Sequence, residues 1–125
     1  MKGAGKIGAF IAVLVLAGAI ANPGYAQDAE HGKTVFTTCA VCHSTDHATR
    51  VGPGLEGIIG RKAGTVPGFP YSDAMKKSVI VWDTKILDAY LESPQEVVPG
   101  NRMPYGGLKD STDRADLVAY LATLK

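Results

Sequence analysis

Cys39-Ala40-Val41-Cys42-His43 constrains this chain more than any other stretch. Two thiols three residues apart, followed at once by an imidazole, form the attachment signature of a c-type haem. Each thiol can add across a haem vinyl group, and the histidine then becomes the proximal ligand of the iron. The chain has two cysteines in all, so one haem would consume both. A structural zinc site needs four ligands, commonly two Cys or Cys/His pairs, and no second pair exists here. A thioredoxin-like dithiol needs a strand-helix-strand setting, which the residues around 30–45 do not suggest.

The N-terminus indicates where such a group would be attached. Lys2 and Lys6 precede an almost unbroken apolar run from Ile7 to Ala21, and Asn22-Pro23-Gly24 breaks it. This is the layout of a secretory signal peptide, with cleavage expected after Ala26 and Ala21 as the second site. The apolar run is about 15 residues, short of the roughly 20 that a spanning helix needs. An uncleaved anchor is therefore the lesser alternative. Export agrees with haem attachment outside the bacterial cytoplasm.

The expected domains are a signal segment, 1–26, and one small domain, 27–125. A domain of that size buries a modest share of its surface. A covalently held haem would add a large apolar body at its centre. Loss of Lys2 and Lys6 leaves eleven basic against twelve acidic side chains. That balance argues against a nucleic-acid partner.

The mature region reads as helices joined by Gly/Pro-rich loops, an all-α fold. Ala29, Gly32, Val35, Phe36 and Cys39 recur near helical spacing. Thr49–Gly68 holds six glycines and two prolines and reads as a long loop, of the kind that wraps something. Ser72 is expected to cap a short helix through Lys77. Asp83 or Thr84 is expected to cap another, running to Ser93 and stopped by Pro94. Thr112 opens a last helix, with Leu117, Leu121 and Leu124 on one face. No stretch alternates as a strand would.

These residues stand in an ordered series. Gly32 and Phe36 precede the haem motif. Gly52-Pro53-Gly54-Leu55, Gly60-Arg61-Lys62 and Pro67-Gly68-Phe69-Pro70-Tyr71-Ser72 follow it. Trp82, Tyr90-Leu91, Pro99-Gly100-Asn101-Arg102-Met103 and Asp116-Leu117-Val118-Ala119-Tyr120-Leu121 complete it. In this order and spacing the chain resembles the class I c-type cytochromes, of the bacterial cytochrome c2 and mitochondrial cytochrome c kind, over nearly all of residues 29–125. The resemblance implies four to five short helices around one covalent haem c, with the first and last helices crossing.

It also implies site residues. Cys39 and Cys42 would carry the haem, with His43 and Met103 as axial iron ligands. A Met sulfur opposite His favours ferrous iron. Met103 lies in a loop bounded by Pro99-Gly100 and Gly106-Gly107, Met75 falls in a short helix, and Met1 leaves with the signal. His31 and His47 are read as surface histidines. By the same resemblance the carbonyl of Pro53 would orient His43. Arg61, Tyr71, Trp82 and Asn101 would serve the haem propionates. The Tyr90 hydroxyl would approach the Met sulfur. Gly32 and Phe36 would meet Leu117 and Tyr120.

Three departures from the family pattern stand out. Met75 occupies a position where Asn is usual, and Tyr105 one where Phe is usual. Gln95 and Glu96 replace lysines that ring the haem edge in mitochondrial proteins. Arg102 keeps one positive charge there, and Lys76, Lys77 and Lys109 are candidates for others. The implied activity is one-electron transfer between respiratory or other periplasmic partners that dock transiently at the haem edge. The carrier would be a monomer, not an enzyme, without a small-molecule substrate. Its membrane contact would come only through partners or a retained N-terminus. A peroxidase-like haem enzyme would need an open coordination position and a distal acid-base residue. A redox or gas sensor would need a labile Met ligand.

Overall fold

A computed structural model describes Met1, Gly3, Gly5 and residues 26–125. The signal segment expected at 1–26 lies almost wholly outside the described residues. Among the described residues the regular elements are all helical. They are α1 (Ala29–Val35), a 3-10 helix (Phe36–Val41), α2 (Asp73–Lys77), α3 (Thr84–Glu92), α4 (Pro94–Val97) and α5 (Ser111–Leu121). No helix among them is long and apolar enough to cross a membrane.

Local chemistry sets the starts. The Asp28 carboxylate accepts from the Glu30 and His31 amides, Ser72 Oγ from Met75 N, Asp83 Oδ1 from Ile86 N, and Asp110 from Thr112 and Asp113. Each satisfies donors that the first turn leaves open. The first expected helix is split, because the chain tightens to 3-10 geometry at Phe36 and delivers the Cys-x-x-Cys segment on that turn. Pro94 also has a second role. It does follow the end of α3, but it occupies the first position of α4. There its missing N–H costs nothing and its fixed φ suits the helix.

The terminal helices pack on each other, and α5 also packs on α3. A Cβ added to Gly32 would lie 2.0 Å from the Asp116 carbonyl oxygen. Only a hydrogen there allows α1 to come so close. The Phe36 and Tyr120 rings meet at 5.4 Å beside that crossing. Asp116 is fully buried under it, with its carboxylate accepting from Asp28 N and meeting His31 Nδ1, both at 2.8 Å. Buried Arg114 joins α5 to α3 through Asp88 at 2.9 Å and donates to the Leu108 carbonyl. Leu87, Tyr90 and Leu91 of α3, with Leu117, Val118 and Leu121 of α5, form the core with Phe36, Ile58, Met75 and Trp82.

The long glycine-rich segment is ordered by its own hydrogen bonds. Gly52 N donates to the Cys42 carbonyl and Leu55 N to that of Ser44, folding it back on the haem motif. Further on, Gly60–Ala63 runs antiparallel to Ile80–Trp82, and the single Lys62–Val81 bridge is too short to make a strand.

A candidate haem site between the Cys-x-x-Cys-His turn and the Met103 loop

The 3-10 turn places Cys39 and Cys42 half-buried. Burial pushes the Cys39 thiol above its ordinary value, with Thr38 acting the other way. His43 follows, also half-buried, its amide bonded back to the Cys39 carbonyl. Its Nδ1 lies 2.8 Å from the Pro53 carbonyl oxygen. A carbonyl only accepts, so Nδ1 carries the proton. With a proton on Nδ1, Nε2 is the nitrogen left to offer a lone pair, as in a metal-ligating histidine.

Gly52 explains how the loop can approach this ring. A Cβ there would sit 2.5 Å from His43 Cε1 and 2.8 Å from Nδ1. Gly54 is likewise forced, since its Cβ would meet the Asp46 carbonyl at 2.3 Å. Gly52-Pro53-Gly54 is thus a stretch of close backbone contact, with the middle residue supplying the acceptor.

Met103 is half-buried against the core, along with Cys39, Ala40, Leu55 and Tyr71. The Tyr90 hydroxyl donates to its Sδ at 3.9 Å. Burial pushes the Tyr90 phenol up to about 12, so the hydroxyl stays protonated. Trp82 packs edge-on against Tyr90 with ring centroids 4.9 Å apart. Two residues beyond Met103, burial and then the neighbouring Cys39 both raise the Tyr105 phenol.

The residues associated with propionates are placed as follows. Tyr71 is half-buried, stacks edge-on against Phe69 at 4.6 Å, and accepts from Val66 N through its hydroxyl oxygen. That oxygen keeps its own hydrogen to donate. Trp82 is buried. Arg61 donates from Nη1 to the Gly54 carbonyl and from Nη2 to that of Glu56. Asn101 is buried and gives both amide hydrogens to the Pro94 and Val98 carbonyls. Its Oδ1 accepts from Met103 N at 3.0 Å, which makes it a brace for the Met103 loop.

Met75 packs in the apolar core from α2. His31 and His47 both belong to exposed residues, His31 on Asp116 and His47 3.4 Å from Glu56. Gln95 has a contact that reading it as a lost surface charge missed. Its side chain binds Gly100 N and the Asn101 carbonyl.

A soft thioether, an imidazole with a free lone pair and two thiols suit a haem iron and its vinyl groups. The close packing of Gly52 on the His43 ring holds that imidazole in place for the same group. No cluster of three or more His, Cys, Asp or Glu suited to a bare metal ion occurs among the described residues.

Comparison with known proteins agrees. The cytochrome c family profile matches residues 29–125. Cytochrome c2 of Rhodomicrobium vannielii is 49% identical over 100 residues, which cover 78% of this chain and 80% of that protein. Cytochrome c2 of Blastochloris viridis is 43% identical over 111 residues, covering 87% of each. Among solved structures, cytochrome cH from Methylobacterium extorquens superposes with a TM-score of 0.74 at 40% identity. It covers 77% of this chain and 98% of that one.

Proposed function

The chain belongs to the cytochrome c family, and from that membership we propose that Cys39 and Cys42 hold its one haem c, with His43 and Met103 as axial ligands of the iron. The protein is an electron carrier rather than an enzyme. The haem supplies a one-electron ferric/ferrous couple that no side chain here possesses.

The observation that carries the ligand assignment is the His43–Pro53 contact. It fixes the tautomer and the ring plane together, and Gly52 leaves the ring no room to turn. The same bond makes the imidazole a better electron donor, which favours the ferric state. Tyr90 works in the other direction. Its protonated hydroxyl draws density from the Met103 sulfur and so favours the ferrous state. The two side chains act on the potential from opposite ligands. With His43 and Met103 both holding the iron, small molecules would be kept from it. That separates this reading from a peroxidase or gas sensor.

Tyr71, Trp82 and Arg61 serve the propionates in this reading. Tyr71 has the clearest geometry, through its remaining hydroxyl hydrogen. The partners are redox proteins that dock transiently at the haem edge, in small interfaces of the electron-transfer kind. The relatives named cytochrome c2 support a bacterial carrier of this type. The basic-apolar-small N-terminus supports a periplasmic location after cleavage at Ala26.

Purified protein should carry the mass of one haem and no titratable thiol. The ferric form should show the weak long-wavelength band of a thioether–iron bond. Met103→Ala should abolish that band while the thioether-linked haem stays attached. A wild type without the band, or a variant that retains it, rejects Met103 as ligand. Free thiols on the secreted protein reject the haem assignment itself.

A further inference from the structure

We propose that Gln95 is a positioning residue for the sixth iron ligand, its side-chain amide clasping the loop that presents Met103. The inference rests on Met103 being that ligand. It concerns a different question, namely how often the ligand lets go.

Gln95 is the second residue of α4, immediately after Pro94. Its Nε2 donates to the Asn101 carbonyl at 2.8 Å, and its Oε1 accepts from Gly100 N at 3.1 Å. One planar amide thus binds two successive residues of the loop. Asn101 braces the same loop from within, through Pro94, Val98 and Met103 N. Met103 follows two residues later. Gly100 has φ +88°, a left-handed conformation, and glycine has the widest choice of other conformations to escape into. The loop therefore contains a natural hinge, and Gln95 sits across it.

The chemistry of the clasp is specific. A lysine at 95 could donate to the Asn101 carbonyl but could not accept from Gly100 N. A carboxylate could accept but not donate. The amide does both. Position 95 is exposed, so burial does not demand a glutamine there. The pair of bonds does. Losing them would leave a backbone donor and acceptor to water and favour the state with Met103 withdrawn.

An external ligand reads that state directly. Imidazole binds the ferric haem protein only when Met103 has left, so its apparent Kd is the intrinsic value divided by the open fraction. Two exposed hydrogen bonds, each in the lower half of the usual net range, correspond to about tenfold in that fraction. Gln95→Ala should therefore bind imidazole about tenfold more tightly than wild type, with faster hydrogen exchange at the Gly100 amide. Glu96→Ala, an exposed neighbour in the same helix, should match wild type in both.

Gln95→Glu supplies a rescue. With its carboxylate ionised it keeps the Gly100 N bond and loses the one to the Asn101 carbonyl, so its affinity should fall between those of wild type and the alanine variant. On acidification the protonated acid regains a donor, and its affinity should return toward wild type. Each value is taken as the ratio to wild type at the same pH, which cancels the protonation of imidazole. Wild-type affinity and wild-type Gly100 exchange in Gln95→Ala would overturn the proposal. So would a global loss of stability with no change in imidazole affinity. If the wild type lacks the thioether–iron band, the Met103 assignment falls instead and takes the clasp's function with it.

Discussion

Replacing Gly52 by alanine tests the construction of the site with one methyl group. The added carbon would lie 2.5 Å from His43 Cε1, 2.8 Å from Nδ1 and 3.0 Å from Nε2. Ordinary contact begins near 3.4 Å, so ring and loop must separate by about 1 Å. The ring has nowhere to go without giving up Nδ1–Pro53, and the loop is held by Gly52 N on the Cys42 carbonyl. Gly52 has no positive φ, so backbone strain does not contribute. Overpacking costs about 1–3 kcal/mol, and a lost net hydrogen bond costs about 1 kcal/mol more. Gly52→Ala should therefore lose about 2–4 kcal/mol in denaturant unfolding of the haem-loaded protein. Its reduction potential should rise, because the imidazole loses the acceptor that makes it a stronger donor. Gly106, with open space at its Cβ position and no positive φ, is the control and should change by less than about 0.5 kcal/mol as alanine. A Gly52→Ala protein with both stability and potential at wild-type values would refute the close approach and the role drawn from it.

Gly32→Ala should be at least as damaging without touching the iron. Its Cβ would meet backbone, the Asp116 carbonyl, at 2.0 Å. The terminal helices must part, and loss of stability at unchanged potential in the folded fraction is the expected signature. The His31–Asp116 contact makes stability depend on pH. Its hydrogen bond to Asp116 first, then the charges of Asp113, Asp116 and Asp28, raise His31 above its ordinary 6.5 against the opposing effect of burial. A raised folded value means that the contribution is complete below about 6.5 and fades as pH rises through the folded value. His31→Gln should flatten the unfolding midpoint across that window. An unchanged pH profile would show that the contact carries no charge coupling. Finally, the electron-transfer rate to an acidic partner should fall less with added salt than that of a lysine-ringed cytochrome. Gln95 and Glu96 carry no positive charge. A steep salt dependence would contradict this.

What the sequence determined alone is what acts over a few residues. Cys39, Cys42 and His43 lie within one turn, so spacing suffices to read their joint chemistry. Ser72 and Asp83 cap helices that begin one residue later, and the capping atoms are local. Pro94 shows the limit of such reading. The same residue ends one helix and starts another, and only the chain direction after it tells which. The glycines at 32 and 52 were legible as members of a pattern, but their reason was not. Each is forced by an atom from another element, Asp116 in one case and the His43 ring in the other. In the sequence Gln95 shows only a missing charge, because its partners, Gly100 and Asn101, meet it only once the loop folds back. Asp116 and His31 lie 85 residues apart in the chain and share a hydrogen bond only because two helices cross. Covalent spacing names the reactive groups. Which of them is braced, buried or free to move depends on contacts that exist only after the chain has closed on itself.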